Sequence, residues 1–297
     1  MASPYTAKDS YLAKGLTAAA GSPAFEHLVA QRDAFTIERL RDAGAVLIGL
    51  TNMPPMANGG MQRGVYGRAE SPYNADFLTA AFGSGSSNGS GTATAASFAA
   101  FGLGEETWSS GRAPASNNAL CAYTPSRGVI SVRGNWPLVP PTMDVVVPHT
   151  RSMADMLELL DVIVADDAET RGDFWRAQPW VQIPKSSEVR PESYVALSPE
   201  NLDGGRLALR GGKRFGVPRM YINADPDAGT SIKPGDRRSH WATHRDSGLR
   251  DGTVGAAKRD LESAGGRGCV GGFPGGFKLR RRPPGRTHHR HPRPCQP

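Results

Sequence analysis

Histidine and cysteine are nearly missing from most of this 297-residue chain: before residue 236 there are only His27, His149 and Cys121. With Cys269 and Cys295 far down the chain, three cysteines make no disulfide framework, and Cys121 reads as a core thiol. The other five histidines crowd into the last 62 residues at spacings that match no standard zinc pattern, so no metal site is expected. Long apolar runs are absent too. No stretch approaches the roughly 18 residues of a membrane span, and the opening Met-Ala-Ser-Pro-Tyr-Thr-Ala-Lys lacks the apolar core of a signal peptide. A soluble, cytoplasmic protein is the expectation. Net positive charge is also lacking from the main body: residues 1–235 carry 21 Lys and Arg against 23 Asp and Glu, while residues 236–297 carry 14 against 5. The overall charge of +7 therefore arises in the tail alone. A nucleic-acid role would rest on that tail, whose only aromatic residues from 266 onward are Phe273 and Phe277.

What the chain does contain is concentrated between Gly83 and Pro114. A loop, Gly-Ser-Gly-Ser-Ser-Asn-Gly-Ser-Gly, precedes an alanine-rich segment, which is followed by Glu-Glu-Thr-Trp-Ser-Ser-Gly-Arg-Ala-Pro. The composition predicts a helix over Ser90–Phe101, about 18 Å long, and a returning strand over Leu103–Thr107, about 16 Å. The two lengths nearly cancel, which would bring Ser86 and Ser110 to the same end of a sheet. Taken singly, each serine reads as a turn residue and Lys8 as a solvated lysine. A serine hydroxyl becomes a useful nucleophile beside a base, and a lysine held neutral by burial can be that base.

At these residues the chain resembles the amidase signature family, and its Glu-Glu-Thr-Trp-Ser-Ser variant is similar to fungal-type members. Ser86 and Ser110 match the family's two serines in type and spacing, with Arg112 and Pro114 in the expected places. Lys8-Asp9, followed by Lys14-Gly15, matches the catalytic-lysine segment. Ala20-Gly21-Ser22, Leu40 to Asn52 and Tyr123 to Gly128 add agreement, so the resemblance runs from about Tyr5 to Gly235. It implies Ser110 as nucleophile, Ser86 as relay and acid, Lys8 as general base, and a cis peptide beside Ser86. It also implies an oxyanion hole from the backbone N–H groups of Thr107, Trp108 and Ser109, Arg112 as a structural neighbour, and no cofactor. The partner would be a small-molecule amide; oligomeric state stays open. Where the family usually has two glycines before the nucleophile, this chain has Trp108 and Ser109, so Trp108 is expected to narrow the acyl pocket. Ser87 and Ser109 remain competitors for the two serine roles.

The expected fold class is α/β: a mixed sheet flanked by helices, incomplete in this chain because the resemblance implies further segments before Lys8 and beyond the signature region. Helix is predicted over Asp33–Ala43 with Ala34, Ile37 and Leu40 inward, then a buried strand over Ala45–Leu50 and a second strand over Val129–Val132. Ser152 to Asp155 reads as a capping box for a helix to Val164, with Met153, Met156, Leu157, Leu160 and Val164 inward. Asp144 is expected to order a loop, and residues 165–205 to form a surface excursion. The amidase signature domain is expected over residues 1–235. Residues 236–297 are expected to be a basic, low-complexity, disordered tail apart from a helix near 256–265. Shifting the frame by one base over Gly266–Gly285 permits an apolar, strand-like run similar to ordinary family sequence, so frameshifts are expected there. Three functional classes follow: an amide hydrolase through a Ser-Ser-Lys triad, an inactive family fragment, or a nucleic-acid binder using the tail.

Overall fold

The computed structural model describes residues 3–138 and 142–198. Five strands form one sheet: β1 (Pro4–Lys8), β2 (Val46–Thr51), β3 (Phe101–Glu106), β4 (Cys121–Ala122) and β5 (Val145–Thr150), in the order β2-β1-β3-β5-β4. β1 runs parallel to β2 and β3, whereas β5 is antiparallel to β3 and β4. The helices are α1 (Phe35–Asp42), α2 (Asn88–Ala95), α3 (Arg112–Asn117), α4 (Met153–Ile163), α5 (Phe174–Ala177) and α6 (Ser186–Val189). This is a mixed sheet flanked by helices.

Alternation along the strands decides which helix covers which face. Tyr5 stacks on Phe101 across the β1–β3 pair, and with Ala7 and Leu103 joins a core containing Ile37 and Leu40 of α1 and Met156, Leu160 and Ile163 of α4. The opposite face, from Thr6 and Gly102 onward, takes α2. A Cβ on Gly102 would lie 2.6 Å from Thr94 Oγ1 and 2.7 Å from Ser90 Oγ, so the missing side chain is what lets this small-residue helix lie against the strand.

Several expectations shift. The helix predicted from Ser90 begins at Asn88 and stops at Ala95, because Ser97 turns into the left-handed region at φ +60°; the strand then starts at Phe101 rather than Leu103. The strand expected to be buried after Gly44 is the sheet edge, leaving Val46 and Ile48 half exposed. Val129–Val132 is no strand. Its apolar side chains Ile130 and Val132 are buried, but its backbone bonds no neighbouring strand: Val132 N–H donates to Asp173 Oδ2, Val129 C=O accepts from Ser186 Oγ, and Val129 N–H and Val132 C=O bond within local turns to Ser126 and Asn135. A short apolar run looks the same in either setting. Ser152 does cap α4, accepting the Asp155 N–H at 3.1 Å, but Met153 faces solvent and the inward stripe is Met156, Leu159, Leu160 and Ile163. The tail 236–297, its expected frameshifts and the helix near 256–265 lie outside the described residues.

Candidate functional site

Lys8 closes β1 and the Glu105-Glu106 pair closes β3, so parallel strands deliver three ionisable side chains to one end of the sheet. The loop before α2 reaches the same end. It turns at Gly85, whose φ of +118° and whose position, with a Cβ only 2.6 Å from that of Ala80, admit glycine alone. The next residue, Ser86, is fully buried, and Lys8 Nζ donates a hydrogen bond to its Oγ at 2.8 Å across 78 residues of sequence. Both peptide bonds of Ser86 are trans; the cis peptide among the described residues precedes Pro137, in contrast to the cis bond implied beside Ser86.

Burial governs the electrostatics. Lys8 is 1% exposed; loss of solvation pulls its amine below the ordinary lysine range, and the Glu105 carboxylate 3.6 Å away pulls it partly back. Burial pushes Glu105 up to about 7 against the opposing pull of Lys8. Asp9 is raised to about 6 by burial, while its Oδ2 accepts the Gly21 N–H at 2.9 Å and ties the Lys-Asp segment to the Ala-Gly-Ser turn.

The second serine sits in a loop built around Glu106. Its carboxylate accepts the N–H groups of Gly111 (3.1 Å) and Arg112 (2.8 Å) and pairs with Arg112 Nε at 2.8 Å. Arg112 also donates to the Trp108 carbonyl, so it braces the loop. The two serine loops are joined where Ser87 N–H donates to the Ser110 carbonyl at 3.1 Å. Ser110 is 9% exposed, and no hydrogen bond among the described residues links its hydroxyl to that of Ser86.

The neighbouring serines are engaged elsewhere. Ser87 Oγ donates to the Glu105 carbonyl and accepts the Glu105 N–H, clasping β3, while Ser109 Oγ bonds Ser84 Oγ. Thr107 Oγ1 donates to Asp144, which orders this loop. Among the described residues, the N–H groups of Trp108 and Ser109 have no hydrogen-bond partner. A cleft of about 460 Å³ opens here, lined by Met56, Asn58, Gly83, Thr107, Trp108 and Ser110.

Sequence reasoning gave no role to His149, Glu105 or Glu106. His149, buried on β5, has Nε2 at 2.9 Å from the Gly111 carbonyl and Nδ1 at 3.0 Å from Ser90 Oγ. A carbonyl only accepts, so Nε2 carries the proton and Nδ1 accepts from Ser90. Burial lowers its pKa to about 4. The available signal for the glutamates was two adjacent acids ending a strand otherwise made of Phe, Leu and Gly. Among the described residues, no group of three or more His, Cys, Asp or Glu could hold a metal ion, and no helix is long and apolar enough to cross a membrane.

A buried Lys-Ser pair beneath a Gly/Ser-rich loop, with a second serine locked to it, is the arrangement of an amidase-type protein, and the mixed sheet agrees. Residues 3–192 match the Amidase family model, and the chain belongs to that family. It is 31% identical over 223 residues to a glutamyl-tRNA(Gln) amidotransferase subunit of Acinetobacter baumannii, a match that covers 74% of this chain and 40% of that relative. The solved peptide amidase of Stenotrophomonas maltophilia aligns at 31% identity with a TM-score of 0.54, over 67% of this chain and 39% of that one. A structure from work on a vestigial protein complex and the origins of an s-triazine catabolic enzyme reaches a TM-score of 0.62 at 28% identity, over 83% and 46% of the two chains. This chain spans about 40% of the length of the curated relatives it matches.

Proposed function

We propose that this protein hydrolyses a carboxamide to a carboxylate and an amine or ammonia through a seryl acyl-enzyme. The observation that carries the reading is the fully buried hydrogen bond from Lys8 Nζ to Ser86 Oγ, formed where Ser87 joins the Ser110 loop. Lys8, whose amine burial draws below the ordinary lysine range, takes the Ser86 proton as Ser86 takes that of Ser110. The freed Ser110 oxygen attacks the carbonyl carbon. Backbone N–H groups of Thr107, Trp108 and Ser109 receive the developing oxyanion, and Ser86 returns a proton to the leaving nitrogen. Water then releases the acid by the same relay. The cleft beside Ser110, with Trp108 on its wall, suits a small or aryl carboxamide. Family membership and amidase-type relatives support the reaction class.

A second reading is a family member that keeps these positions without turnover. It is favoured by the apolar edge at Val46 and Ile48, half exposed with no further strand beside it among the described residues. Assay of the purified full chain against a panel of aliphatic and aryl amides separates the two. Hydrolysis falling at least a thousandfold in both Ser110→Ala and Lys8→Ala is the expected outcome. Undiminished turnover in Lys8→Ala refutes the assigned base, and a folded wild type inert to every amide favours the second reading.

A further inference from the structure

Glu105 has neither of the things that usually make a buried carboxylate tolerable. It is 3% exposed, no hydrogen bond of good geometry reaches either oxygen, and the nearby polar side chains that favour its ionised form are those of Lys8 and Ser10. Its neighbour Glu106, equally buried, accepts two backbone N–H groups and a guanidinium. A carboxylate so desolvated is stabilised most when a cation forms beside it. Among the described residues its one ion-pair partner is Lys8, with Oε2 3.6 Å from Nζ. The backbone of Glu105 is held as well, since the Ser87 hydroxyl bonds both its N–H and its C=O. The residue next to Ser86 thus fixes the strand position from which Glu105 faces Lys8, and the amine lies between the Ser86 hydroxyl and this carboxylate.

We propose that Glu105 is a positioning residue for the reaction, its carboxylate serving as counter-ion to the ammonium that Lys8 becomes. The inference rests on the Ser-Ser-Lys reading above. In acylation the Ser110 proton moves to Ser86 Oγ and the Ser86 proton to Lys8 Nζ. The Ser110 Oγ–carbon bond forms, and the carbonyl π pair moves to oxygen. Lys8 is now a cation in a dry site, and Glu105 is the fixed anion beside it. When the C–N bond breaks, Ser86 protonates the leaving nitrogen and Lys8 returns its proton to Ser86. Above its own pKa of about 7, Glu105 stays ionised through the cycle and neither gains nor loses a proton. A fixed negative charge at this distance stabilises the ammonium far more in a buried site than in water, and lowers the barrier that forms it.

Other titratable groups facing the pair are Glu106 on the same strand, Tyr11 after β1, Asp144 before β5 and His149 on β5. All of them stay in place in the test. The rate of fluorophosphonate labelling of the full chain is measured against pH for wild type, Glu105→Gln, Glu105→Asp and Ser110→Ala, with circular dichroism as the check on folding. Loss of the negative charge lowers the pKa of Lys8, so the acidic limb of the Glu105→Gln profile moves by about one pH unit to lower pH. Its plateau rate falls at least tenfold because the base is weaker. Glu105→Asp, which keeps the charge, recovers part of the rate and serves as the test if Glu105→Gln does not fold. A plateau and limb in folded Glu105→Gln equal to those of wild type, with Ser110→Ala unlabelled, overturn the role of Glu105 and leave the triad standing. Equal labelling of Ser110→Ala removes the triad reading, and this proposal with it.

Discussion

At the scale of single residues, burial shifts the ionisable groups around the site toward their neutral forms. His149 is the clearest case outside the reacting set, because its ring bridges Ser90 on α2 to Gly111, the residue after Ser110. Its pKa of about 4 lies below the ordinary 6.5, so the folded state resists a proton that the unfolded chain accepts. The stability it contributes is present above about 6.5 and is lost as pH falls toward about 4. Asp9 and Glu105 act oppositely, since burial raises both and folding then favours their protonated forms. The informative quantity is therefore a difference. Between pH 6.5 and 4, urea denaturation should show wild type losing roughly 2–4 kcal/mol relative to His149→Gln. Parallel pH profiles for the two proteins would mean the ring is not held neutral. Motif order and spacing singled out Lys8, Ser86 and Ser110, and the structure sets Lys8 against Ser86 and ties the Ser110 loop to Ser87. His149 and Glu105 were not legible in the sequence, because a lone histidine or glutamate takes its meaning from neighbours dozens of residues away, such as Ser90 and Lys8.

At the scale of elements, the end of the sheet that holds Lys8 and Ser86 depends on how closely α2 lies on β3. The expected pattern of helix out and strand back was correct in its essentials, and it brings the Ser86 and Ser110 loops together. The boundaries were not legible, because the alanine-rich segment continues past the point where Ser97 turns left-handed. Nor could the apolar runs Ala45–Leu50 and Val129–Val132 report their setting: one is an edge strand and the other a buried loop bonded by Asp173 and Ser186. Glycines test the close packing directly. Gly102→Ala should cost about 1–3 kcal/mol in urea denaturation, because its methyl group would sit within 2.6–2.7 Å of the Thr94 and Ser90 hydroxyls. Gly49→Ala on β2, with nothing within 4 Å of the added carbon, should change stability by no more than about 0.5 kcal/mol. Equal effects at the two positions would contradict the packing described for α2.

At the scale of the molecule, the family match over residues 3–192 falls almost wholly within the described residues, which hold both serines, the lysine and the glutamates. The division of charge between residues 1–235 and 236–297 is a property of sequence alone and lies mostly beyond them. Function therefore turns on whether this body assembles a reactive serine, and on which one. The most direct measurement is mass-spectrometric mapping of the fluorophosphonate adduct on the folded, full-length chain. The account predicts a single adduct, on Ser110. An adduct on Ser86, Ser87 or Ser109, or none on soluble folded protein, would contradict it.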